Sequence, residues 1–439
     1  MKVSGYETDF RAVTLTIMSR KTAAGKKKST PSTTVTRKAD GTISLSQPQF
    51  AQPTTSPDPT GFTVAHGNDN PLYKKVQKSL LQAIPPPAAG ANLTMTLGQA
   101  LGSAGAAAVA AIQKAGQIVF HSLGDTGSVK GPETQSLVAD KMVQDFTGAS
   151  ADRPSFCFHL GDVVYSFGEA QYYYDQFYEP YRSYPAPIFA VAGNHDGLVY
   201  SGEGVPSLQA FLRNFVSAEP VKTPESGGLI RTAMTQPAVY FALDAPFVTI
   251  IGLYSNVLED PGVISSEGDQ SSPVDDQQLA FLTSALQAAK KKGGATIVAT
   301  HHPPYSGGTA HGGSPKMLAD IDAACAKANY WPHAHLSGHA HNYQRFTRTV
   351  NKYDIPYVVC GNGGHSPLSA IKGTPRTPLN VNPELIFESY DANDYGYLRI
   401  VVNTTQLRIE LHPAQTGEVF KSPTDVVTVD LASHTMVSN

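Results

Sequence analysis

Short runs of apolar residues, many of them β-branched, recur along the chain from residue 117 onward. Runs of this length, bounded by Gly, Pro and Asp, are typical of strands in a sheet that is covered on both faces. We predict strands at residues 117–123, 156–160, 188–192, 248–255, 296–300, 356–360, 395–402 and 407–411. The runs from about residue 356 onward alternate with turns, which indicates antiparallel pairing there.

Amphipathic stretches between these runs predict helices. Residues 134–146 carry apolar side chains at helical spacing, namely Leu137, Val138, Met142 and Phe146. Residues 274–294 begin with acids and end with lysines and two glycines, an order that suits the helix dipole and the C-terminal cap. Because strands and helices alternate, we expect one layered α/β domain over residues 116–439.

The first 115 residues differ in composition and predict an N-terminal extension that is partly irregular. Residues 20–60 are rich in Lys, Ser, Thr and Pro and poor in large apolar side chains, which is typical of a solvated arm. Residues 72–84 form one short amphipathic stretch, and residues 96–116 predict a helix of small residues that its glycines weaken.

The overall composition excludes several classes of protein. A net charge of -3 over 439 residues gives no basic field for nucleic acid or an anionic membrane. No apolar run approaches the ~18 residues that a membrane span needs. The N-terminus lacks the features of a signal peptide, so we expect a cytoplasmic protein, with an exported form left open. The three cysteines (Cys157, Cys325 and Cys360) are too few for a disulfide framework and predict buried thiols.

Five polar groupings each follow one of the predicted strands. They are 124-GDTG-127, 161-GDVVY-165, 193-GNHD-196, 301-HHPPY-305 and 338-GHAH-341. Ligands of open α/β sheets bind beyond the carboxyl ends of the strands, where all five groupings are expected. Seven of the fourteen histidines fall between His301 and His341, which favours a metal site.

The residue types in these groupings suit a pair of cations. The candidate ligands are Asp125, Asp162, Tyr165, Asn194, His301, His339 and His341. A carboxylate has two oxygens and can bridge two cations that lie ~3.5–4 Å apart. We expect Asp162 to be that bridge. A phenolate from Tyr165 favours a trivalent, strongly Lewis-acidic cation, because tyrosine must lose a proton whose ordinary pKa is about 10.

In this order the groupings resemble the purple acid phosphatases, within the calcineurin-like metallophosphoesterase superfamily. The resemblance spans about residues 117–364 and is extended by Tyr343, Arg345 and 361-GNGG-364. It implies a layered α/β/β/α sandwich in residues 116–439, preceded by the extension. It also implies an Fe(III) ion held by Asp125, Asp162, Tyr165 and His341. A divalent Zn, Fe or Mn ion would be held by Asp162, Asn194, His301 and His339.

The activity implied by the resemblance is hydrolysis of phosphate monoesters by a hydroxide that bridges the two metals. The expected substrates are small phosphate esters. His195 and His311 match histidines that contact substrate or supply the proton to the leaving group. The family's usual neighbouring histidine is replaced here by Ala310, which leaves the identity of the general acid open.

Other interpretations stay open at this point. A phosphodiesterase could use the same scaffold, or the site could hold two ordinary divalent ions without Tyr165 as a ligand. A non-catalytic binding protein of this fold would be expected to lack some ligands, and none is missing. His302 suits a structural role at least as well as a catalytic one. Structural roles are also expected for four histidines within or beside strands, His121, His159, His333 and His335.

Overall fold

A computed structural model describes residues 84–87, 92–199, 205–255, 262–266, 274–414 and 422–437, together with the backbone of three short strands near the N-terminus. In chain order the strands are β1 (Val13–Thr14), β2 (Val35–Arg37), β3 (Ile43–Leu45), β4 (Thr94–Thr96), β5 (Gln117–Leu123), β6 (Cys157–His159), β7 (Ile188–Ala190), β8 (Phe241–Ala245), β9 (Val248–Gly252), β10 (Ala295–Ala299), β11 (Ala334–Ser337), β12 (Tyr343–Val350), β13 (Tyr353–Cys360), β14 (Leu379–Asn382), β15 (Leu385–Asp391), β16 (Gly396–Asn403), β17 (Gln406–Pro413), β18 (Asp425–Asp430) and β19 (Thr435–Met436). The α-helices are α1 (Leu97–Ala100), α2 (Gly105–Ala115), α3 (Glu133–Gln144), α4 (Asn194–Gly197), α5 (Gln209–Phe215), α6 (Gln277–Lys292) and α7 (Pro315–Ala328).

Two large mixed sheets carry most of these strands. The nine-stranded sheet has the order β14-β15-β12-β13-β11-β10-β9-β8-β4, and the seven-stranded sheet has the order β19-β18-β17-β16-β5-β6-β7. Strands β5, β6 and β7 run parallel, and so do β9, β10, β11 and β13. Both parallel groups therefore end in loops from which ligands can project. Strands β1, β2 and β3 form a separate antiparallel sheet.

The core lies between the two large sheets. One apolar cluster combines side chains from both, including Phe120 and Phe158 of the seven-stranded sheet and Ile250 and Leu336 of the nine-stranded sheet. A second cluster packs α6 and α7 on the outer face of the nine-stranded sheet, through Leu282 and other apolar side chains. Helix α3 buries Val138 and Met142 in the central cluster. This confirms the predicted layered α/β sandwich.

Most predicted elements of the second half are present, with shifted ends. Each predicted strand is found, and the two predicted helices correspond to α3 and α6, with Gly293 as the C-cap of α6. The prediction of antiparallel strands from residue 356 onward is only partly right, because β13 also pairs parallel to β11. The later strands also divide between the two sheets instead of forming one.

The region before residue 117 departs from the predicted single helix. Residues 94–115 form strand β4 and helices α1 and α2, and β4 pairs with β8 at the edge of the nine-stranded sheet. Thr96 caps α1 in a capping box with Gln99, close to the predicted start, but the helix is divided into α1 and α2. The predicted amphipathic stretch at 72–84 and most of the predicted arm at 20–60 lie outside the described residues.

Two smaller predictions concern the cysteines and the membrane. All three cysteines are free and buried, as expected for small apolar side chains. Among the helices that the structure describes, none combines the length and apolarity required to cross a bilayer.

Candidate metal centre

The predicted ligands follow strands of both sheets and meet at one edge of the sandwich. Asp125, Asp162 and Asn194 come after β5, β6 and β7, while His301 and His339 come after β10 and β11. All five are buried, and ligand atoms of Asp125, Asp162 and His301 lie within 4.8 Å of one another. Tyr165 and His341 lie against the same group, so the structure brings all seven predicted side chains together.

Three of the seven side chains form the first group of donor atoms. The hydroxyl of Tyr165 lies 3.0 Å from Asp125 Oδ1 and 3.2 Å from His341 Nε2. His341 Nε2 is 3.6 Å from the same Asp125 oxygen. The other oxygen, Oδ2, accepts a 2.7 Å hydrogen bond from the backbone N–H of His339. One oxygen of Asp125 is thus anchored to the backbone while the other faces a phenol and an imidazole.

A second group is formed by Asn194, His301 and His339. Asn194 Oδ1 lies 2.9 Å from His301 Nε2 and 3.0 Å from His339 Nδ1, and the two ring nitrogens are 3.2 Å apart. His301 Nδ1 lies 2.8 Å from the carbonyl oxygen of Leu160, to which it donates. When the His301 ring is neutral, as a metal ligand must be, Nε2 is therefore the nitrogen that carries the lone pair, and it points at the other donors.

Asp162 lies between the two groups. Its Oδ1 accepts a 2.9 Å hydrogen bond from the backbone N–H of His195, and its Oδ2 lies 3.5 Å from His301 Nε2. It also interacts with the Tyr165 hydroxyl, since both Asp162 and Asp125 raise the pKa of that phenol in addition to the effect of burial. Asp162 thus lies next to members of both groups of donor atoms.

The two carboxylates differ in their electrostatics. Burial raises the pKa of Asp125 well above its usual range, and the neighbouring Asp162 adds to that shift. Burial also favours the neutral form of Asp162, but the positive charges of His301 and His195 outweigh it and hold the pKa of Asp162 well below its usual range. For His301 the effect of burial is likewise outweighed, and the charge of Asp162 raises its pKa to about 9.

Local backbone geometry explains why glycine precedes the donors. A Cβ on Gly193 would lie 2.1 Å from Asp162 Oδ1, and one on Gly338 would lie 2.5 Å from Asp125 Oδ2. Asp125, Asp162 and His339 all have positive φ, at 56°, 55° and 69°. Non-glycine residues in this region are strained and concentrate at functional sites. The loops therefore hold these side chains in conformations that an ordinary turn would not select.

The two predicted catalytic histidines lie next to these donors. The ring of His195 is 4.4 Å from that of Tyr165, and its Nδ1 donates to the carbonyl oxygen of Ser166 at 2.7 Å. The buried ring of His311 is 4.2 Å from that of His339 and 5.4 Å from that of His341. Both imidazoles are close enough to the donor groups to meet a ligand held there.

The remaining histidines sort as the sequence suggested. His302 contacts the Ser255 hydroxyl through Nδ1, and its ring lies 4.2 Å from that of His339, so it supports a candidate ligand. The four predicted structural histidines each have such a contact. His121 contacts the phenol of Tyr184, and His159 contacts the hydroxyl of Thr126. His333 accepts from the backbone N–H of Thr296, and His335 stacks on the ring of Tyr357.

Sequence reasoning missed two residues of this site. His365 stacks on Tyr165 with ring centroids 3.9 Å apart, and the only signal in the sequence was its position directly after 361-GNGG-364. Asp196 accepts hydrogen bonds from the backbone N–H groups of Gly193 and Val163 and so fixes the loop that carries Asn194. Burial raises the pKa of Asp196 to about 7. Because both of its oxygens already accept backbone hydrogen bonds, Asp196 suits a structural role better than that of a ligand.

The donor set fits a pair of cations. Asp162 Oδ2 and His339 Nε2 are buried and have no hydrogen-bond partner among the residues that the structure describes. Asn194 Oδ1, His301 Nε2 and His339 Nδ1 converge to about 3 Å, and each of these atoms can offer a lone pair to a cation when the imidazoles are neutral. Such an arrangement is costly in a buried site unless a cation lies between the donors.

The fold and this donor cluster define a metal-dependent phosphoester hydrolase. Residues 123–343 match the calcineurin-like phosphoesterase family, and the chain belongs to that family. No curated protein was found to match the chain.

Several solved structures resemble the chain at low identity. GAP50, the anchor in the inner membrane complex of Plasmodium, is 18% identical with a TM-score of 0.47, over 70% of this chain and 88% of that one. PhoD is 12% identical with a TM-score of 0.45, over 73% and 71% of the two chains. A dimetal phosphatase from Danio rerio is 11% identical with a TM-score of 0.41, over 72% and 99%.

Proposed function

We propose that the protein hydrolyses phosphate monoesters at a binuclear site that holds Fe(III) and a divalent Zn, Fe or Mn ion, and that residues 116–439 are its catalytic domain. Asp125, Tyr165 and His341 would hold the ferric ion, and Asn194, His301 and His339 the divalent ion. Asp162 would be shared between them. Cations bound there supply Lewis acidity that activates water and offsets charge on the phosphoryl group.

The side chains around the donors have separate tasks in this proposal. His195 keeps its proton on Nδ1, against Ser166, which orients the ring toward Tyr165 and the bound ester. His311, next to His339 and His341, lies where it can bind a phosphoryl oxygen. Either imidazole can protonate the leaving alcohol, because an imidazole titrates close to neutral pH.

The observation that carries the ferric assignment is the contact of the Tyr165 hydroxyl with Asp125 Oδ1 and His341 Nε2. Burial and two carboxylates raise the pKa of Tyr165, so the phenol can ionise only beside a strongly Lewis-acidic cation. Ferric phenolate absorbs visible light, and divalent zinc or manganese does not produce such a band.

An absorption spectrum with metal analysis tests the ferric assignment. Protein purified without added metal should contain iron and show a broad band near ~500–600 nm that is lost in Tyr165→Phe, because a ligand must be deprotonated to bind and Phe offers no oxygen. Tyr181→Phe is a matched control, since Tyr181 is a buried phenol of the aromatic core. Two divalent ions and a colourless wild-type protein would refute the assignment.

A rate comparison tests the choice between monoesters and diesters. We expect kcat/KM on p-nitrophenyl phosphate to exceed that on bis-p-nitrophenyl phosphate, because two cations can neutralise the dianionic monoester. Faster turnover of the diester would show a phosphodiesterase on the same scaffold. If the metal-loaded protein hydrolyses neither substrate, it is a non-catalytic binding protein.

A further inference from the structure

The ring of Tyr165 lies between two imidazoles. His365 stacks on it with ring centroids 3.9 Å apart and an interplanar angle of 32°. His195 lies 4.4 Å away, at 38°. Two tilted rings at these distances make favourable aromatic contacts and leave the phenol little room to rotate about its side-chain bonds.

His365 is itself fixed by the loop that carries Asp125. Its Nδ1 donates to the carbonyl oxygen of Gly127 at 2.9 Å, and its backbone N–H donates to the carbonyl oxygen of Asp125 at 2.9 Å. The ring is only 8% exposed and also lies 4.4 Å from the ring of His341. The imidazole therefore has a defined position relative to two of the residues that face the Tyr165 hydroxyl.

The backbone of Tyr165 is fixed separately by Gln176. The Gln176 amide accepts from the Tyr165 N–H at 2.9 Å and donates to the Tyr165 carbonyl at 2.7 Å. These bonds set the main chain, whereas the side-chain rotation is limited by the hydrogen bond from the hydroxyl to Asp125 and by what the ring touches. The rings of His365 and His195 are the two imidazoles stacked on it.

We propose that His365 is a positioning residue, which clamps the Tyr165 ring against His195 so that the phenol oxygen meets Asp125 and His341. The clamp acts on the side chain whether or not a cation is bound. Its consequence for the metal rests on the proposed function, in which Tyr165 is the ligand of the ferric ion.

Two substitutions separate the parts of the His365 side chain. His365→Asn keeps an N–H that can reach the Gly127 carbonyl but removes the stacked ring. His365→Phe keeps a ring but removes that hydrogen bond. If stacking holds Tyr165, Asn should release the phenol and Phe should retain it. If His365 were needed only for the fold, through its hydrogen bond, the Phe variant should release the phenol and the Asn variant should retain it.

The clamp can be tested by fluorine NMR of metal-free full-length protein labelled with 3-fluorotyrosine. The Tyr165 resonance is the one that Tyr165→Phe lacks. We expect this resonance to shift toward that of an exposed tyrosine in His365→Asn and to stay near its wild-type position in His365→Phe. An unchanged resonance in His365→Asn, with the wild-type circular dichroism spectrum retained, would overturn the proposal. So would equal shifts in both variants.

Iron-loaded protein provides the second readout. His365→Asn should shift the visible band and lose iron to a chelator ~10–100-fold faster, the range expected when an outer partner of a ligand is removed. His365→Phe should change both less. A wild-type protein without the band would refute the ferric assignment alone, since the NMR measurement needs no metal. A wild-type band that His365→Asn leaves unmoved would refute the clamp alone.

Discussion

At the scale of single residues, Asp162 is the carboxylate that we propose both cations share. It contacts both groups of donor atoms, and its Oδ2 has no hydrogen-bond partner within the described parts of the chain. Asp196, which follows His195 in the chain, is also buried, but its oxygens accept hydrogen bonds from the backbone N–H groups of Val163 and Gly193. The two carboxyls thus offer a direct comparison between a shared ligand and a structural acid.

We predict that Asp162→Asn loses at least ~100-fold in kcat/KM, because removing an outer partner of a ligand already costs about 10- to 100-fold. Metal content per chain, measured by mass spectrometry, should fall with it. Asp196→Asn should keep its metal and lose only about 1–3 kcal/mol in the free energy of unfolding, through one impaired hydrogen bond. Wild-type metal content in Asp162→Asn would refute the shared role.

At the scale of elements, a charged contact joins the two sheets. Asp425 begins β18 of the seven-stranded sheet and accepts hydrogen bonds from Tyr343 and Arg345 of β12 in the nine-stranded sheet, at 2.7–3.0 Å. The side chains of Arg345 and Asp425 are each 13% exposed. Tyr343 and Arg345, which extended the last sequence motif, thus hold the sandwich together.

We predict that Asp425→Ala lowers the free energy of unfolding by about 3 kcal/mol, because it leaves a mostly buried guanidinium without its carboxylate. The double variant Arg345→Met with Asp425→Leu should recover most of that loss, since an apolar pair needs no compensating charge. Urea unfolding measures both. A single variant as stable as wild type would show that the contact does not contribute.

The turn between β18 and β19 should make the protein sensitive to acid. His434 of this turn stacks on His333 and on Tyr353, and its Nε2–H donates to the carbonyl oxygen of Pro332. Burial lowers the pKa of His434 to about 4, and burial together with His434 lowers the pKa of His333 to about 3. In the unfolded chain these two imidazoles therefore take up protons near the ordinary histidine pKa of ~6.5, whereas in the folded protein they stay neutral at that pH.

We predict that the free energy of unfolding falls as the pH drops from about 6.5 to 4, because the unfolded state then binds more protons. His434→Gln, which is neutral and keeps an N–H donor, should reduce this slope by up to one proton. Urea unfolding at several pH values measures the slope. The same slope in the variant would show that His434 does not cause the sensitivity.

At the scale of the whole molecule, the candidate ligands connect the two sheets. Asp125, Asp162, Tyr165 and Asn194 follow strands of the seven-stranded sheet, whereas His301, His339 and His341 follow strands of the nine-stranded sheet. Cations held by all seven would therefore cross-link the halves of the sandwich. Binding to the folded state alone stabilises a protein by mass action.

We predict that removing metal with a chelator lowers the free energy of unfolding by ~2.7 kcal/mol or more, the value for a free ligand at 100 times its Kd. Adding Zn²⁺ and iron back should restore the unfolding midpoint. The chelator should have little effect on Asp162→Asn, which lacks the shared ligand. An unchanged midpoint in wild-type protein shown to be metal-free would refute the cross-link.

The sequence by itself determined the strands of the catalytic half, the helices α3 and α6, and the identity of the donor side chains. These features are local, because strand periodicity, helix caps and a glycine before a candidate ligand each depend only on neighbouring residues. A glycine is needed before Asn194 and His339 because a Cβ would strike a carboxylate. The glycine in the sequence therefore indicates this close approach without a structure.

The tertiary structure decided which sheet each strand joins. β5 pairs with β16, almost three hundred residues later in the chain, and β13 pairs with both β11 and β12. These pairings order the strands within each sheet, and the packing of one sheet on the other then places His365 on Tyr165 and Asp425 on Arg345. Contacts between residues far apart in sequence depend on how whole layers pack, and short motifs do not determine that packing.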